Sequence, residues 1–273
     1  MPIIFLPLLF LAAGLVGILY YQHIPSQTEL RQRLPNRASW AGFLLVGLIA
    51  LGIWLIVHYT TSRFMKVAGI TTLVFYLLTF ESFLLLAFRW TKSNAVGVLT
   101  AAGLTAIPFL LQFFHPTYTL GNVLIIAATL GATALVIRLE VLRTRIIIIL
   151  ACLFMVTDIL NVTFVLPHLP LTPPQDRPLP LLIFPTVNVG GHVIGSGDFM
   201  FLALTTLIVL KNFSARVAAW HVVAQAVALT ITLSFILNRD ILLPYLTIMT
   251  PVFLITYAIA RQRRELRPPS AAR

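Results

Sequence analysis

Apolar runs of about 20 residues, separated by short charged or Pro-containing stretches, recur along the whole chain, and each can cross a hydrocarbon core of roughly 30 Å as a helix. With charged residues as boundaries, the pattern predicts spans at 2–21, 38–59, 67–88, 94–114, 118–137, 146–166, 190–210, 217–237 and 241–260. The expected fold is therefore all-α, a polytopic membrane protein of about nine transmembrane helices forming a single membrane domain over residues 1–273. Spans one to five occupy 1–145 and spans six to nine 146–260, with a basic tail at 261–273. The connections are short except at 167–189, where Pro167, Pro170, Pro173, Pro174, Pro178, Pro180 and Pro185 argue against any fixed helix. The first run begins Met1-Pro2-Ile3-Ile4 with no basic segment ahead of it and no small-residue cleavage pattern behind it. It is expected to be a span, not a signal peptide.

Composition agrees: 59% of residues are hydrophobic and 10% charged, against roughly 25% charged in soluble domains. The net charge of +11 would suggest nucleic acid in a soluble protein, but here the basic residues lie between spans, where they act as topology signals and contacts for anionic lipid headgroups. Membrane lipids are expected partners and nucleic acid is not. Fifteen of the 19 Lys and Arg residues follow spans one, three, five, seven and nine; only Arg63, Lys66, Arg177 and Arg239 fall on the other side. The positive-inside rule then predicts a cytoplasmic C-terminus and an N-terminus outside or in a lumen. Cys152 is the single cysteine, so the chain can form no internal disulfide and carries no Cys-x-x-Cys motif. The six histidines form no evident metal set, and no cofactor is expected.

Of eight acidic residues, Glu29, Glu140, Asp176, Asp240 and Glu265 fall in connections or the tail, which leaves Glu81, Asp158 and Asp198 inside spans. A carboxylate at mid-membrane costs at least ~2.5 kcal/mol, so such residues face a polar interior and mark function by default. Asp158 lies 13 residues from Arg145 on span six, and Asp198 lies 13 residues from Lys211 on the antiparallel span seven. Both are thus about 20 Å from the same boundary. Two apposed acids do not both ionise readily, so one serves as base and the other as acid, the arrangement that activates a water against a peptide carbonyl. Asp198 follows Gly195-Ser196-Gly197, whose side-chain-free positions admit a close backbone approach. Glu81 is nearer the boundary and is expected to pack or pair. Asn161, one turn beyond Asp158, can orient its carboxyl, while His221 and Gln225 share a helical face suited to structural hydrogen bonding.

Three motifs together resemble the GxGD intramembrane aspartyl proteases of the presenilin and signal peptide peptidase superfamily: Thr157-Asp158, then Gly195-Ser196-Gly197-Asp198, then Pro244-Tyr245-Leu246. The resemblance covers the second half of the chain and agrees in motif order, span placement and span count. It implies a presenilin-like fold, Asp158 and Asp198 as the catalytic pair, and Gly195, Gly197, Pro244, Tyr245 and Leu246 as supports of the active site. The implied activity is hydrolysis of peptide bonds within transmembrane helices. The family usually carries Tyr-Asp and Pro-Ala-Leu, so Thr157 and Tyr245 mark a divergent member, of prokaryotic type. The predicted orientation matches the signal peptide peptidase branch and implies type II helices as substrates. Leu181, Leu182 and Ile183, bracketed by Pro180 and Pro185, suit an edge strand on which an unwound substrate could pair.

Paired membrane carboxylates also serve proton relays, so a proton-coupled transporter or leak pathway is the alternative from another class. That alternative predicts inverted repeats and broken helices in both halves, whereas the motifs here are confined to one. A type IV prepilin peptidase shares the GxGD aspartate but would not account for Pro244-Tyr245-Leu246. A binding relative that keeps the fold without turnover also stays open.

Overall fold

The computed structural model of the 273-residue chain describes residues 2–33, 63–115, 117–160, 186–189, 192–236 and 245–265. The second expected span and the loop segment holding Leu181, Leu182 and Ile183 lie outside the described residues, as do Asn161 and Pro244. Among the described residues there are nine helices: α1 Pro2–His23, α2 Gln27–Arg33, α3 Arg63–Trp90, α4 Asn94–Phe114, α5 Tyr118–Arg138, α6 Thr144–Leu160, α7 Ser196–Asn212, α8 Ala215–Ile236 and α9 Tyr245–Glu265. The all-α expectation needs one correction. Strands β1 Thr186–Val189 and β2 His192–Gly195 form an antiparallel hairpin, with Thr186 opposite Gly195 and Val189 opposite His192.

The hairpin also shortens expected span seven, because β2 takes its first residues and α7 starts only at Ser196. Hydropathy alone cannot separate a buried strand from the end of a helix. Val187, Val189, Val193 and Ile194 are β-branched and favour the extended chain, and Gly195 and Gly197 weaken any helix continued upstream.

Among the described residues, three helical segments are long and apolar enough to cross a membrane, Asn94–Gln112, Tyr118–Arg138 and Ala215–Ser234. Their surfaces fit that role. Leu99, Ile107, Leu110 and Phe114 of α4 point outward, as do Trp220, Val227 and Ile231 of α8, while Thr105 of α4, Thr129 and Thr133 of α5, and His221 and Gln225 of α8 are buried. Large apolar side chains outside and hydrogen-bonding groups inside suit a hydrocarbon solvent, in which helix association relies on close packing and interhelical hydrogen bonds.

The chain separates into two compact units interleaved along the sequence. The central unit runs from Tyr20 to Leu139 and takes in the hairpin. Its helices α3 and α5 run parallel, because Thr79 and Ser82 of α3 donate to the carbonyls of Leu124 and Ala127 of α5, three residues apart on each. Gly131 permits this closeness: a Cβ added there would meet Ser82 Oγ at 1.7 Å and the Ser82 backbone at 2.8 Å. At one end of the unit, Arg138 Nη2 donates to the Tyr21 carbonyl at 2.6 Å and its guanidinium lies over the Tyr21 ring. The cation thereby satisfies a carbonyl near the end of α1.

The terminal unit contains α1 as far as Leu19, α6, α7 from Asp198 onward, α8 and α9. Phe10 of α1 packs on Phe199 of α7, and Gly14 lets α1 approach Val222 of α8. The directions of the other helices follow from their polar contacts. Thr205 of α7 meets His221 of α8, and Gln225 of α8 reaches the Met249 carbonyl of α9. Farther along, Phe213 stacks edge-on against Tyr257, and Arg264 donates to the Asn212 carbonyl at the end of α7. Helix α8 is therefore antiparallel to both α7 and α9, and α7 runs parallel to α9.

Candidate aspartyl site

Asp158 and Asp198 both belong to the terminal unit, and their levels follow from the opposite end of their helices. There, Asn212 of α7 donates to Thr144 Oγ1 of α6, and Lys211 pairs with Glu140 at 2.8 Å just before α6 begins. The start of α6 therefore adjoins the end of α7. Asp158 lies fourteen positions after Thr144, and Asp198 lies fourteen positions before Asn212. At 1.5 Å per residue each is about 21 Å from that end, so the two aspartates share a level.

Asp158 reaches the first turn of α9. Asp158 Oδ2 accepts the Leu246 backbone N–H at 2.9 Å. The Asp198 carboxylate acts electrostatically on the Tyr245 phenol one residue earlier. A second bond holds the α6–α9 seam, with Thr250 Oγ1 donating to the Ala151 carbonyl two turns of α6 before Asp158. Helix α9 packs extensively along α6 and α8.

Backbone electrostatics account for carboxylates at this place. The first N–H groups of a helix have no partner within it and carry a partial positive charge. Asp158 takes one of those groups on α9, while Asp198 lies in the first turn of α7 itself. Because α7 and α9 run parallel, their positive ends lie at the same end of the unit. Each such interaction is worth about 0.3–1 kcal/mol at an exposed helix end and up to ~2 kcal/mol when partly buried. Both aspartates are half-buried, so they keep access to an incoming group.

The neighbours divide clearly. Tyr245 and Leu246 form the first turn of α9 beside the aspartates, while Pro244 lies outside the described residues. Gly195 ends β2, and Gly197 is exposed, with nothing within 4 Å of the position a Cβ would take. Thr157, which stands where the resembling family has tyrosine, turns its hydroxyl back to the Leu153 and Phe154 carbonyls of its own helix. Thr247 was not singled out from sequence, yet its hydroxyl is buried beside Leu246 and has no hydrogen-bond partner among the described residues. A threonine in an apolar run carries no signal for such a role, because most bond back to their own helix, as Thr256 does with Val252.

Glu81 belongs to the central unit. Its Oε1 is buried without a hydrogen-bond partner among the described residues, and its charge acts on Tyr20. Among the described residues, no three His, Cys, Asp or Glu side chains gather to hold a metal ion. No protein family model matches the chain, and no curated protein sequence matches it either.

Proposed function

We propose that the protein is an intramembrane aspartyl endopeptidase of the presenilin and signal peptide peptidase type, with Asp158 and Asp198 as its catalytic pair. The observation that carries this reading is the Asp158 carboxyl bonded to Leu246 N–H at a level of the terminal unit that Asp198 shares. Two acids at one level, each set against a helix N-terminus, suit a division of labour in which one is ionised and the other protonated. The ionised carboxylate takes a proton from water as the water oxygen bonds to the scissile carbonyl carbon. The protonated partner gives its proton to the carbonyl oxygen, producing a gem-diol. As the gem-diol collapses, the carboxyl that took the water proton gives it to the amide nitrogen, the C–N bond breaks, and the other carboxylate regains a proton from a gem-diol hydroxyl.

Substrates are transmembrane helices whose backbone must unwind before attack, since helical carbonyls are already hydrogen-bonded. The proposed topology has nine spans with the N-terminus outside, which favours type II substrates. Tyr245 and Leu246, together with Pro244, shape the substrate site. Gly197, open and free of a side chain, admits a backbone close to the chain leading into Asp198. The decisive experiment is reconstitution in lipid vesicles with a panel of type II helical substrates, comparing wild type with Asp158→Ala and Asp198→Ala. Each substitution should reduce cleavage by roughly 10²–10⁴-fold, the usual worth of a general acid or base. Cleavage that survives either change would overturn the reading.

A proton-coupled transporter is the second reading, and Glu81 Oε1, buried without a hydrogen-bond partner among the described residues, is the observation in its favour. It expects proton flux across the same vesicles that is lost in Asp158→Ala, Asp198→Ala and Glu81→Gln, with no substrate cleaved.

A further inference from the structure

Between α7, α8 and α9 the terminal unit contains a polar cluster that the proposed catalysis leaves unused. His221 is 0% exposed and Gln225 1%, and they stand one helical turn apart on α8. Their outward connections are made. His221 Nε2 lies 3.1 Å from Thr205 Oγ1, and Gln225 Nε2 donates to the Met249 carbonyl at 2.9 Å. Yet His221 Nδ1 and Gln225 Oε1 are both buried without a hydrogen-bond partner among the described residues.

The surroundings assign each role. The Thr205 hydroxyl spends its hydrogen on the Phe201 carbonyl, shared with that of Leu202, so toward His221 it can only accept. Nε2 therefore bears the imidazole hydrogen and Nδ1 presents a bare lone pair. The Met249 carbonyl likewise accepts only, which fixes the Gln225 amide with its NH₂ toward α9 and its oxygen turned away. Two fully buried acceptors thus stand on consecutive turns with no donor between them. Each would cost about 1–3 kcal/mol if left so. What satisfies both is a species with two donor hydrogens. Side chains four apart on a helix have Cβ atoms about 5–6 Å from each other. That gap suits one water making two hydrogen bonds of about 2.9 Å. A metal ion would need more ligands than these two, and among the described residues no three His, Cys, Asp or Glu side chains gather here.

We infer that His221 Nδ1 and Gln225 Oε1 form a buried water-binding site inside the α7–α8–α9 bundle. Buried waters characteristically serve such otherwise unsatisfied groups. The position gives the site a use that rests on the proteolytic reading. Met249, which anchors Gln225, is three residues from Leu246, which holds Asp158, and the unpartnered Thr247 hydroxyl lies between them. The anchor of this site is thus less than one turn of α9 from the residue that bonds Asp158, which would make its water an internal source for a hydrolysis performed away from bulk solvent.

The test is radiolytic hydroxyl-radical labelling of the full chain in lipid nanodiscs, read by mass spectrometry. Ordered internal water generates radicals in place, and Met249, at 2% exposure, is the adjacent oxidisable side chain. Met249 should be oxidised in the wild type and several-fold less in Gln225→Leu and in His221→Phe. His221→Asn, which keeps an acceptor near the Nδ1 position, should restore labelling. Met200, at 39% exposure, should label equally in every variant and so reports an intact fold. Met249 oxidation that is the same in wild type and Gln225→Leu would overturn the site. So would nitrogen NMR evidence of a proton on His221 Nδ1 at neutral pH, since that nitrogen would then have no lone pair to accept a hydrogen from water. The two readings separate cleanly: labelling without proteolysis keeps the site and removes its catalytic use, whereas proteolysis without labelling does the reverse.

Discussion

The hydrogen bond from Leu246 N–H to Asp158 is made by a backbone group, so no side-chain substitution at position 246 removes it. Replacing Leu246 by its α-hydroxy acid does, because the ester oxygen has no hydrogen to donate. A hydrogen bond to a charged group contributes about 1.5–3 kcal/mol net, and each 1.4 kcal/mol is a factor of ten. Where that bond orients the catalytic carboxylate, peptide cleavage should fall by roughly 10–100-fold with the fold retained. Unchanged turnover would remove Leu246 N–H from the mechanism. The same residue explains a limit of side-chain motifs. Pro244-Tyr245-Leu246 announces itself by side chains, yet the contact made at Leu246 belongs to the one atom type that every non-proline residue shares.

At the scale of elements, helix separation and helix capping each yield a measurable consequence. In the central unit α3 and α5 approach so closely at Gly131 that a methyl group there would collide with Ser82, backbone included. Gly131→Ala should therefore force the helices apart and break the Ser82 bond to Ala127. Overpacking of this kind costs about 1–3 kcal/mol, read as a lowered thermal midpoint in detergent. Adding Ser82→Ala should restore only part of the loss, because the Ser82 Cα remains in the way.

Helix α2 depends on a capping box: Ser26 N–H donates to Glu29 Oε2 at 2.8 Å, and Glu29 N–H reaches back to Ser26 Oγ. The bond from the Ser26 backbone, then its hydroxyl, then the charges of Arg89 and Arg33 hold the Glu29 carboxyl below its ordinary range. A depressed acid stabilises its fold above the unfolded-state pKa, about 4.3 for Glu, and loses that contribution as pH falls through the lower folded value. Amide exchange in α2, corrected for intrinsic rates, should accelerate as pH drops below that range. Glu29→Gln should remove the pH dependence.

For the whole molecule, the orientation proposed from charge is testable with the chain nearly as it stands, because Cys152 is the only native cysteine. In a Cys152→Ala background, Arg263→Cys should react with a membrane-impermeant thiol reagent only from the cytoplasmic side. A cysteine placed at Pro2 should react only from the outside. The reverse pattern would move the protein to the opposite topology and change the expected class of substrate.

How much of the molecule was legible along the chain depends on whether the determining force is local. Apolar run length and the placement of Lys and Arg are properties of consecutive residues acting against a solvent. From them came the helical membrane character, now carried by three helices long and apolar enough to span, and the isolation of Glu81, Asp158 and Asp198 as acids inside apolar segments. The β1–β2 hairpin was not legible in the same way, because Val-rich and Ile-rich stretches satisfy strand and helix alike until pairing decides. Nor was the grouping of the first nineteen residues with the last four helices, which depends on contacts such as Phe10 with Phe199, far apart in sequence. The sequence by itself determined which carboxyls must be explained and at what depth they lie, since depth follows from counting residues at a fixed rise. Only the tertiary structure decided that Asp158 accepts the Leu246 N–H in the first turn of α9 and that His221 and Gln225 are buried together on α8. Those facts depend on rotational setting and backbone donors, which residue identity does not encode.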